Sequence, residues 1–361
     1  MANSKPDESN IPALDTQQVA LLEKLSNAVS VSGDESEVRK IVKEEIQAYV
    51  TDLRIDSMGN ILAVRKAEQD HPLRIMVAAH MDEVGFMIVD KEEGGLFRFE
   101  TVGGIDLRQL PGKTVWVGKE HLPGVIGARP IHLTTPEERT RAIPLDTLRI
   151  DLGPGGEKAK TGDRATFATA FKRIGPSLHG KALDDRLGVA TLIELIKHAP
   201  PQIELLAAFT VQEELGLRGA KVAGYAFNPD AAVILDATPA HDLPVYDGSE
   251  NVKPNTKLGY GPAIYISDGA TLSDPRLVQH FITTAERAEI PYQIRQPGRG
   301  GTDAGEIHLS RGGVPSLSIS VPVRYAHTPA LLCRLQDWQN TFALALVGLQ
   351  NLTPAILQAE R

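Results

Sequence analysis

Three apolar runs in this chain end on groups that a protein interior does not tolerate alone. Leu73-Arg74-Ile75-Met76-Val77-Ala78-Ala79 leads into His80-Met81-Asp82, Ile203 to Val211 leads into Glu213-Glu214, and Ala231 to Leu235 stops at Asp236. A short, nearly continuous apolar run is what a strand buried on both faces of an α/β sheet requires. A carboxylate at its end loses hydration as the strand packs, and it is tolerated only when paired, hydrogen-bonded or bound to a cation. Asp184-Asp185 and His327 add two further segments of the same kind. Three carboxylates and two neutral imidazoles drawn from these segments would combine hard oxygen with borderline nitrogen ligands, a set suited to two ions of Zn²⁺, Co²⁺ or Mn²⁺. The lack of thiolates argues against a structural zinc finger.

The order of segments predicts an α/β fold, with a mixed, mostly parallel sheet flanked by helices and a small β-barrel or sandwich inserted in it. Residues 1–13 read as a flexible tail with Pro6 and Pro12. Amphipathic spacing predicts helices from Thr16 to Ala28 and from Ser36 to Tyr49, then a hairpin of Thr51 to Asp56 and Asn60 to Val64 about Ser57-Met58-Gly59. From about residue 88 to 172 the texture changes to short β-like pieces between Gly and Pro turns, with Thr134 to Arg141 as a surface loop. The alternation then resumes: helix 186–198, strand 203–211, helix 217–227, strand 231–235, helix 274–288, short helix 304–310, strand 316–321 and helix 337–351. The expected organisation is therefore one catalytic domain, 14–87 and 173–361, interrupted by a β domain, 88–172.

Composition removes several function classes. A net charge of −8 gives no electrostatic footprint for nucleic acid or an anionic membrane. No apolar run approaches the roughly 18 residues of a membrane span, and MANSKPDESN lacks the basic and apolar regions of a signal peptide. The single Cys333 excludes an intrachain disulfide framework. The expected compartment is the cytoplasm.

Ligands of open α/β sheets collect beyond the carboxyl ends of the strands, which places His80, Glu213, Glu214, Asp236 and the segment leading to His327 on one rim. Adjacent glutamates on an extended backbone point apart, so one of Glu213 and Glu214 can bind metal while the other acts on a water. Asp82, two residues from His80, can accept its imidazole N–H and orient it. Asp185 reads either as a ligand in place of Asp184 or as a salt-bridge partner of Arg186. Asp303, closing the turn Gly300-Gly301-Thr302-Asp303, reads either as a helix cap or as part of a substrate-contacting turn.

The runs AAHMDEVGFMI, GKALDDRLGVA, QEELGLRGA, AVILDATPA, GRGGTDAGEIHLSRGGVPS and VRYAHTP stand in this order. Together they resemble the glutamyl or tetrahedral aminopeptidases, a family of dinuclear metallopeptidases, over about residues 15 to 355. The resemblance implies two divalent ions per subunit, with His80 and His327 as terminal ligands, Asp184 as the bridge, and Glu214 and Asp236 each completing one ion. It implies Glu213 as the general base and Asp82 as the residue orienting His80. It also implies removal of N-terminal residues from peptides, and dimers paired through the β domain that assemble into a dodecamer. The family often carries Ser-Pro-x-Glu after the last histidine; here Thr328-Pro329-Ala330-Leu331 leaves the ligand and lacks the glutamate. The same metal centre would also serve a deacylase or another amidohydrolase, and a third reading is an inactive peptide-binding scaffold. For the substrate pocket the candidates are Arg299, Gly301 and Thr302, with the Arg299 guanidinium suited to an acidic N-terminal side chain.

Overall fold

The computed structural model describes residues 11–245, 247, 255–296, 298 and 300–360. Helix α1 (Thr16–Asn27) starts at Asp15, whose carboxylate accepts from Gln17 N while Gln18 reaches back to complete a capping box. Helix α2 (Ser36–Ile46) buries Val38, Ile41, Val42 and Ile46 at helical spacing. The hairpin β1 (Asp52–Ile55) and β2 (Ile61–Arg65) follows, then β3 (Leu73–His80).

Six strands then close into a barrel: β4 (Gly85–Lys91), β5 (Leu96–Val102), β6 (Thr114–Val117), β7 (Leu122–Gly127), β8 (Arg149–Asp151) and β9 (Arg164–Phe167). Its interior is aromatic, Phe86 meeting Phe99 and Phe167 edge-to-face at 5.3 and 5.2 Å. The stretch Thr134 to Arg141, expected as loop, contains α3 (Pro136–Arg139). Thr135 and Glu138 cap it reciprocally and Pro136 occupies its first turn, a start signal present in the sequence.

Past the barrel come β10 (Lys172–Ile174), β11 (Ser177–Gly180), α4 (Leu183–Lys197), β12 (Ile203–Thr210), α5 (Arg218–Phe227) and β13 (Ala231–Pro239). The last stretch holds β14 (Ala263–Tyr265), α6 (Pro275–Arg287), β15 (Gln293–Arg295), α7 (Ala304–Ile307), β16 (Ser316–Arg324), β17 (Leu331–Arg334), α8 (Leu335–Gln350) and α9 (Pro354–Gln358). Among the described residues the main sheet has 11 strands, in the order β1-β2-β12-β3-β13-β16-β17-β11-β10, with β14 joining β16 and β15 joining β14. One apolar layer packs α1, α2, α4, α6 and α8 against the sheet, and a second layer packs α5 and α7 against its other face.

Four neighbouring strands, β12-β3-β13-β16, run parallel, and their register builds the site. Thr210 pairs with His80, and Asp236 pairs with Ser320. Ile234 pairs with Ala78, so the same register carried two residues further sets Asp236 level with His80. Residues level on adjacent parallel strands share a face about 4.8 Å apart. The apolar runs therefore bring an imidazole and a carboxylate side by side at the carboxyl rim.

Candidate metal centre

Among the described residues two triads of side chains that could hold a metal ion meet on this rim: His80, Asp184 and Asp236, and Asp184, Glu214 and His327, the candidate ligand atoms of each lying within 4.8 Å of one another. Asp184 belongs to both. Its Oδ1 lies 3.3 Å from His80 Nε2 and its Oδ2 lies 3.6 Å from His327 Nε2. Asp236 Oδ1 is 3.8 Å from His80 Nε2, and Glu214 Oε1 is 3.2 Å from His327 Nε2.

Each ligand is delivered by a local departure from regular structure. Asp184 and Asp185 open α4 with non-helical torsions and are joined by a cis peptide. Glu213 and Glu214 do not lie on an extended segment. They form one 3-10 turn entered through Gln212 in the left-handed region, at φ 55°, so the divergence expected of neighbours on a strand does not apply. His327 follows β16 in a turn and is itself left-handed at φ 57°. Positive φ at a residue with a side chain costs of order 1–3 kcal/mol, and here Ala182, Gln212, Leu217, Tyr325 and His327 all flank ligand-bearing turns.

The supporting hydrogen bonds fix these turns. Asp82 is fully buried, and its carboxylate accepts from Ser32 Oγ at 2.6 Å, Glu213 N at 3.0 Å and Glu214 N at 3.2 Å. The His80 ring is held through Nδ1, which lies 3.2 Å from the Asp82 main-chain oxygen and 3.5 Å from its carboxylate. Asp82 thus grips the glutamate turn at least as firmly as the imidazole. His327 Nδ1 lies 2.8 Å from Gly104 O, a carbonyl supplied by the loop after barrel strand β5; donation there leaves Nε2 as the lone-pair nitrogen.

Two expectations are corrected. Asp185 does not salt-bridge Arg186. Its carboxylate accepts from Gly188 N at 2.8 Å and His80 N at 3.3 Å, and a Cβ on residue 188 would come within 2.3 Å of it. Arg186 pairs instead with Glu83 and donates to the main-chain oxygens of Leu25, Met81 and Asp82. Asp303 stands at the start of α7 without a side-chain capping bond; its Oδ2 accepts from Thr210 Oγ1 and its Oδ1 is buried without a partner. Of the pocket candidates, Gly301 lines the cavity, Thr302 is buried behind it against Ser318 Oγ at 2.8 Å, and Arg299 lies outside the described residues. An arginine that sequence reasoning passed over, Arg295, lines the cavity instead.

Charge is the property these groups share. Burial, reinforced by Asp184, raises the Asp236 carboxyl to about 7. Burial together with Asp236, Asp303 and Glu214 lifts Glu213 well above the carboxylate range. For His327, burial pulls down but Glu214 and Asp184 outweigh it, lifting the ring to about 9; His80 is lifted in the same way by Asp184, Asp236 and Asp82. Asp184 is held low because His80 and His327 outweigh its burial. Crowded, buried carboxylates whose affinity for protons is raised by burial and by one another mark a site short of positive charge, and its oxygen and nitrogen donors fit divalent metal ions.

The candidate ligands line one wall of a cavity of about 650 Å³, whose other walls include Leu217, Tyr265, Pro239, Gly269, Arg295 and Gly301. Glu213 faces the same space.

Residues 59–344 match the family model described as M42 glutamyl aminopeptidase. The chain is 36% identical to a putative aminopeptidase of Acetivibrio thermocellus over 330 residues, covering 90% of this chain and 96% of that one. Its fold superposes on an aminopeptidase of the archaeon Desulfurococcus kamchatkensis with a TM-score of 0.89 at 34% identity, covering 95% and 97% of the two chains. A Pyrococcus horikoshii TET1 peptidase, which can assemble into a tetrahedron or a large octahedral shell, gives 0.81 at 32% identity over 93% of this chain and all of that one. With the family model spanning most of its length and the ligand-bearing turns in place, this chain belongs to the M42 glutamyl aminopeptidase family.

Proposed function

We propose that this protein removes N-terminal residues from peptides with a pair of divalent ions, Zn²⁺ or Co²⁺ first and Mn²⁺ third. His80, Asp184 and Asp236 would hold one ion, and Asp184, Glu214 and His327 the other. The observation that carries this reading is Asp184, one carboxylate oxygen directed at each triad, with Glu213 beside it on the cavity wall. Bound there, the ions supply Lewis acidity to the scissile carbonyl, activation of a water and an anchor for the free α-amino group.

The chain's own residues do the rest. Glu213 takes the proton of the attacking water and returns it to the nitrogen of the leaving amine, so one carboxylate serves as base and then acid. Asp82 keeps Glu213 and Glu214 in register by accepting both their main-chain N–H groups. Cations held there would keep Asp236 and Glu214 in the carboxylate form.

We further propose that the β domain at 88–172 pairs subunits, and that pairs assemble into a dodecamer. The exposed Ile131 and Leu133, 69% and 62% accessible on the barrel, support a self-association surface there. Among the described residues no helix is long and apolar enough to cross a membrane; the cytoplasm is the compartment we propose. The deciding experiment compares a peptide with a free N-terminus to its N-acetylated form. The metal-loaded protein is expected to cleave only the first and to lose activity to a chelator. Cleavage of the acetylated peptide, or full activity after chelation, would refute the reading.

A further inference from the structure

The turn that carries Glu213 and Glu214 is gripped at its apex by Asp82, and a second grip closes its base. Residues 211–219 leave the end of β12 and return into α5, where Gly219 N donates to Val211 O at 3.0 Å. The side chain of Asn60, fully buried, bridges the same two residues. Val211 N donates to its Oδ1 at 3.0 Å, and its Nδ2 donates to Gly219 O at 3.1 Å. The second Nδ2 hydrogen goes to Asp56 Oδ2 at 2.7 Å. The opposite amide orientation would set the NH₂ group against the Val211 N–H and the oxygen against Gly219 O and the Asp56 carboxylate, so the network admits one orientation.

Asn60 reaches that place by register. β2 pairs antiparallel with β12, Ile61 opposite Phe209, so Asn60 stands level with Thr210, where the strand gives way to the turn. Asp56 fixes it there, its Oδ1 accepting from the main-chain N–H groups of Met58 and Gly59 at 2.9 Å and of Asn60 at 3.0 Å. The fit is tight as well as polar, since a Cβ on residue 219 would come within 2.3 Å of Asn60 Oδ1. Between the two gripped ends Gln212 and Leu217 are left-handed, at φ 55° and 58°, each at a cost of about 1–3 kcal/mol. A turn under that strain keeps its shape only when its surroundings over-determine it.

We infer that Asn60 is a positioning residue for the reaction: by closing the main chain on both sides of the Glu213-Glu214 turn, it holds the Glu213 carboxylate where the base must act. The inference rests on the aminopeptidase reading for the role of Glu213, while the clamp itself stands on the hydrogen bonds. Loss of the carboxamide would leave Val211 N without its acceptor and let the strained turn relax, displacing the Glu213 carboxylate. A displacement of about 1 Å at a reacting group costs of order 10²-fold in rate. The competing role, in which Asn60 only adds stability to the fold, makes a different forecast: a lower melting temperature with kcat unchanged.

The test compares wild type, Asn60→Ala, Asn60→Asp and the swapped pair Asn60→Asp with Asp56→Asn, all loaded with Zn²⁺, on the fastest of the Glu, Leu and Lys anilides. In Asn60→Ala kcat should fall about 100-fold, with KM within about 2-fold of wild type and two ions bound. Asn60→Asp keeps an acceptor for Val211 N but sets a carboxylate against Asp56, and should lose as much. Swapping the two side chains restores the bond to residue 56 and should recover part of kcat. Amide hydrogen exchange of the metal-free proteins reads the clamp without activity: it should quicken over residues 211–219 in Asn60→Ala and stay as in wild type over β13. Unchanged kcat in a folded Asn60→Ala, or exchange that quickens equally over β13, overturns the inference and leaves the aminopeptidase reading standing. If Asn60→Ala does not fold, the swapped pair decides: recovery of kcat relative to Asn60→Asp supports the inference, and none overturns it. A wild type that cleaves no anilide refutes the aminopeptidase reading alone. The exchange pattern then decides the clamp, quickening confined to 211–219 supporting it and uniform quickening overturning it.

Discussion

The two triads share Asp184 but are built in different ways. His80 and Asp236 leave neighbouring parallel strands at the same level, and His80 is 3% exposed with its ring held by the residue two positions on. His327 leaves a left-handed turn, is 40% exposed, and is held by Gly104 O from the barrel. The first half inherits its geometry from sheet register. The second depends on a loop meeting another loop. Such a difference should separate the ions in affinity and should make the barrel a participant in the second half of the site.

Glu213 stands outside that contrast and gives the largest effect. Glu213→Gln should lower kcat by about 10³-fold, the middle of what a general base contributes, while both ions stay bound by elemental analysis. Near-normal turnover would remove it from the mechanism.

The halves themselves are compared by His80→Ala and His327→Ala. Both should lose one ion per chain, but chelator titration of wild type should be biphasic, and His327→Ala should remove the weaker phase. If His80→Ala removes the weaker phase, the strand-built half is not the tighter one. His80→Ala should also cost stability, because it leaves buried Asp184 and Asp236 facing each other without an imidazole.

Proton linkage sharpens the contrast further. In metal-free protein Asp236 and His327 keep their protons in the folded state, to about 7 and about 9, beyond their unfolded values of about 3.9 and 6.5. Their contribution is complete below those unfolded values and is lost as pH rises through the folded ones. The melting temperature of chelated protein should therefore fall between about pH 4 and 9, and His327→Ala should flatten only the part above about pH 6.5. Stability rising over that range would contradict the assignment. Metal loading should shallow the slope, since the ions displace the same protons.

The smallest effect concerns the barrel's attachment. Glu83 accepts from Thr166 Oγ1 on β9, from Lys181 Nζ, from Arg186 and from Ser30 N, joining barrel and sheet through one buried carboxylate. Thr166→Val removes one of these bonds and should cost about 1–2 kcal/mol by denaturant unfolding. A change beyond about 3 kcal/mol would mean that the barrel link is cooperative with the metal centre.

Much of this was legible in the amino-acid order. Apolar runs identified β3, β12 and β13 because strands buried on both faces need no polar alternation, whereas β16 alternates serine with Leu317, Ile319 and Val321. The residues ending those runs are the ones that meet at the rim. What escaped was short or non-local: β14, β15 and β17 are three or four residues long, β14 and β15 pairing with each other and β14 with β16, and β17 lying between β16 and β11. Arg295 escaped for the same reason, since nothing in Gln293-Ile294-Arg295 announces a cavity wall. The end of β13 was set too early, at Leu235, because a polar Asp236 looks like a terminus until Val323 and its neighbours extend the ladder to Pro239.

The residue types therefore determined the chemistry on their own: carboxylates and imidazoles at the ends of strands whose burial demands a counter-charge. Tertiary structure alone decided which of adjacent acids does what. Asp184 reaches both triads while Asp185 turns back to Gly188 N, and Asp82 grips the Glu213-Glu214 turn through main-chain N–H groups. It also decided that a barrel carbonyl from Gly104 would fix the ring of His327, 223 residues away. Composition and spacing encode desolvation cost, which is local to a side chain. Direction is a property of backbone torsion and long-range pairing, and no single segment carries it.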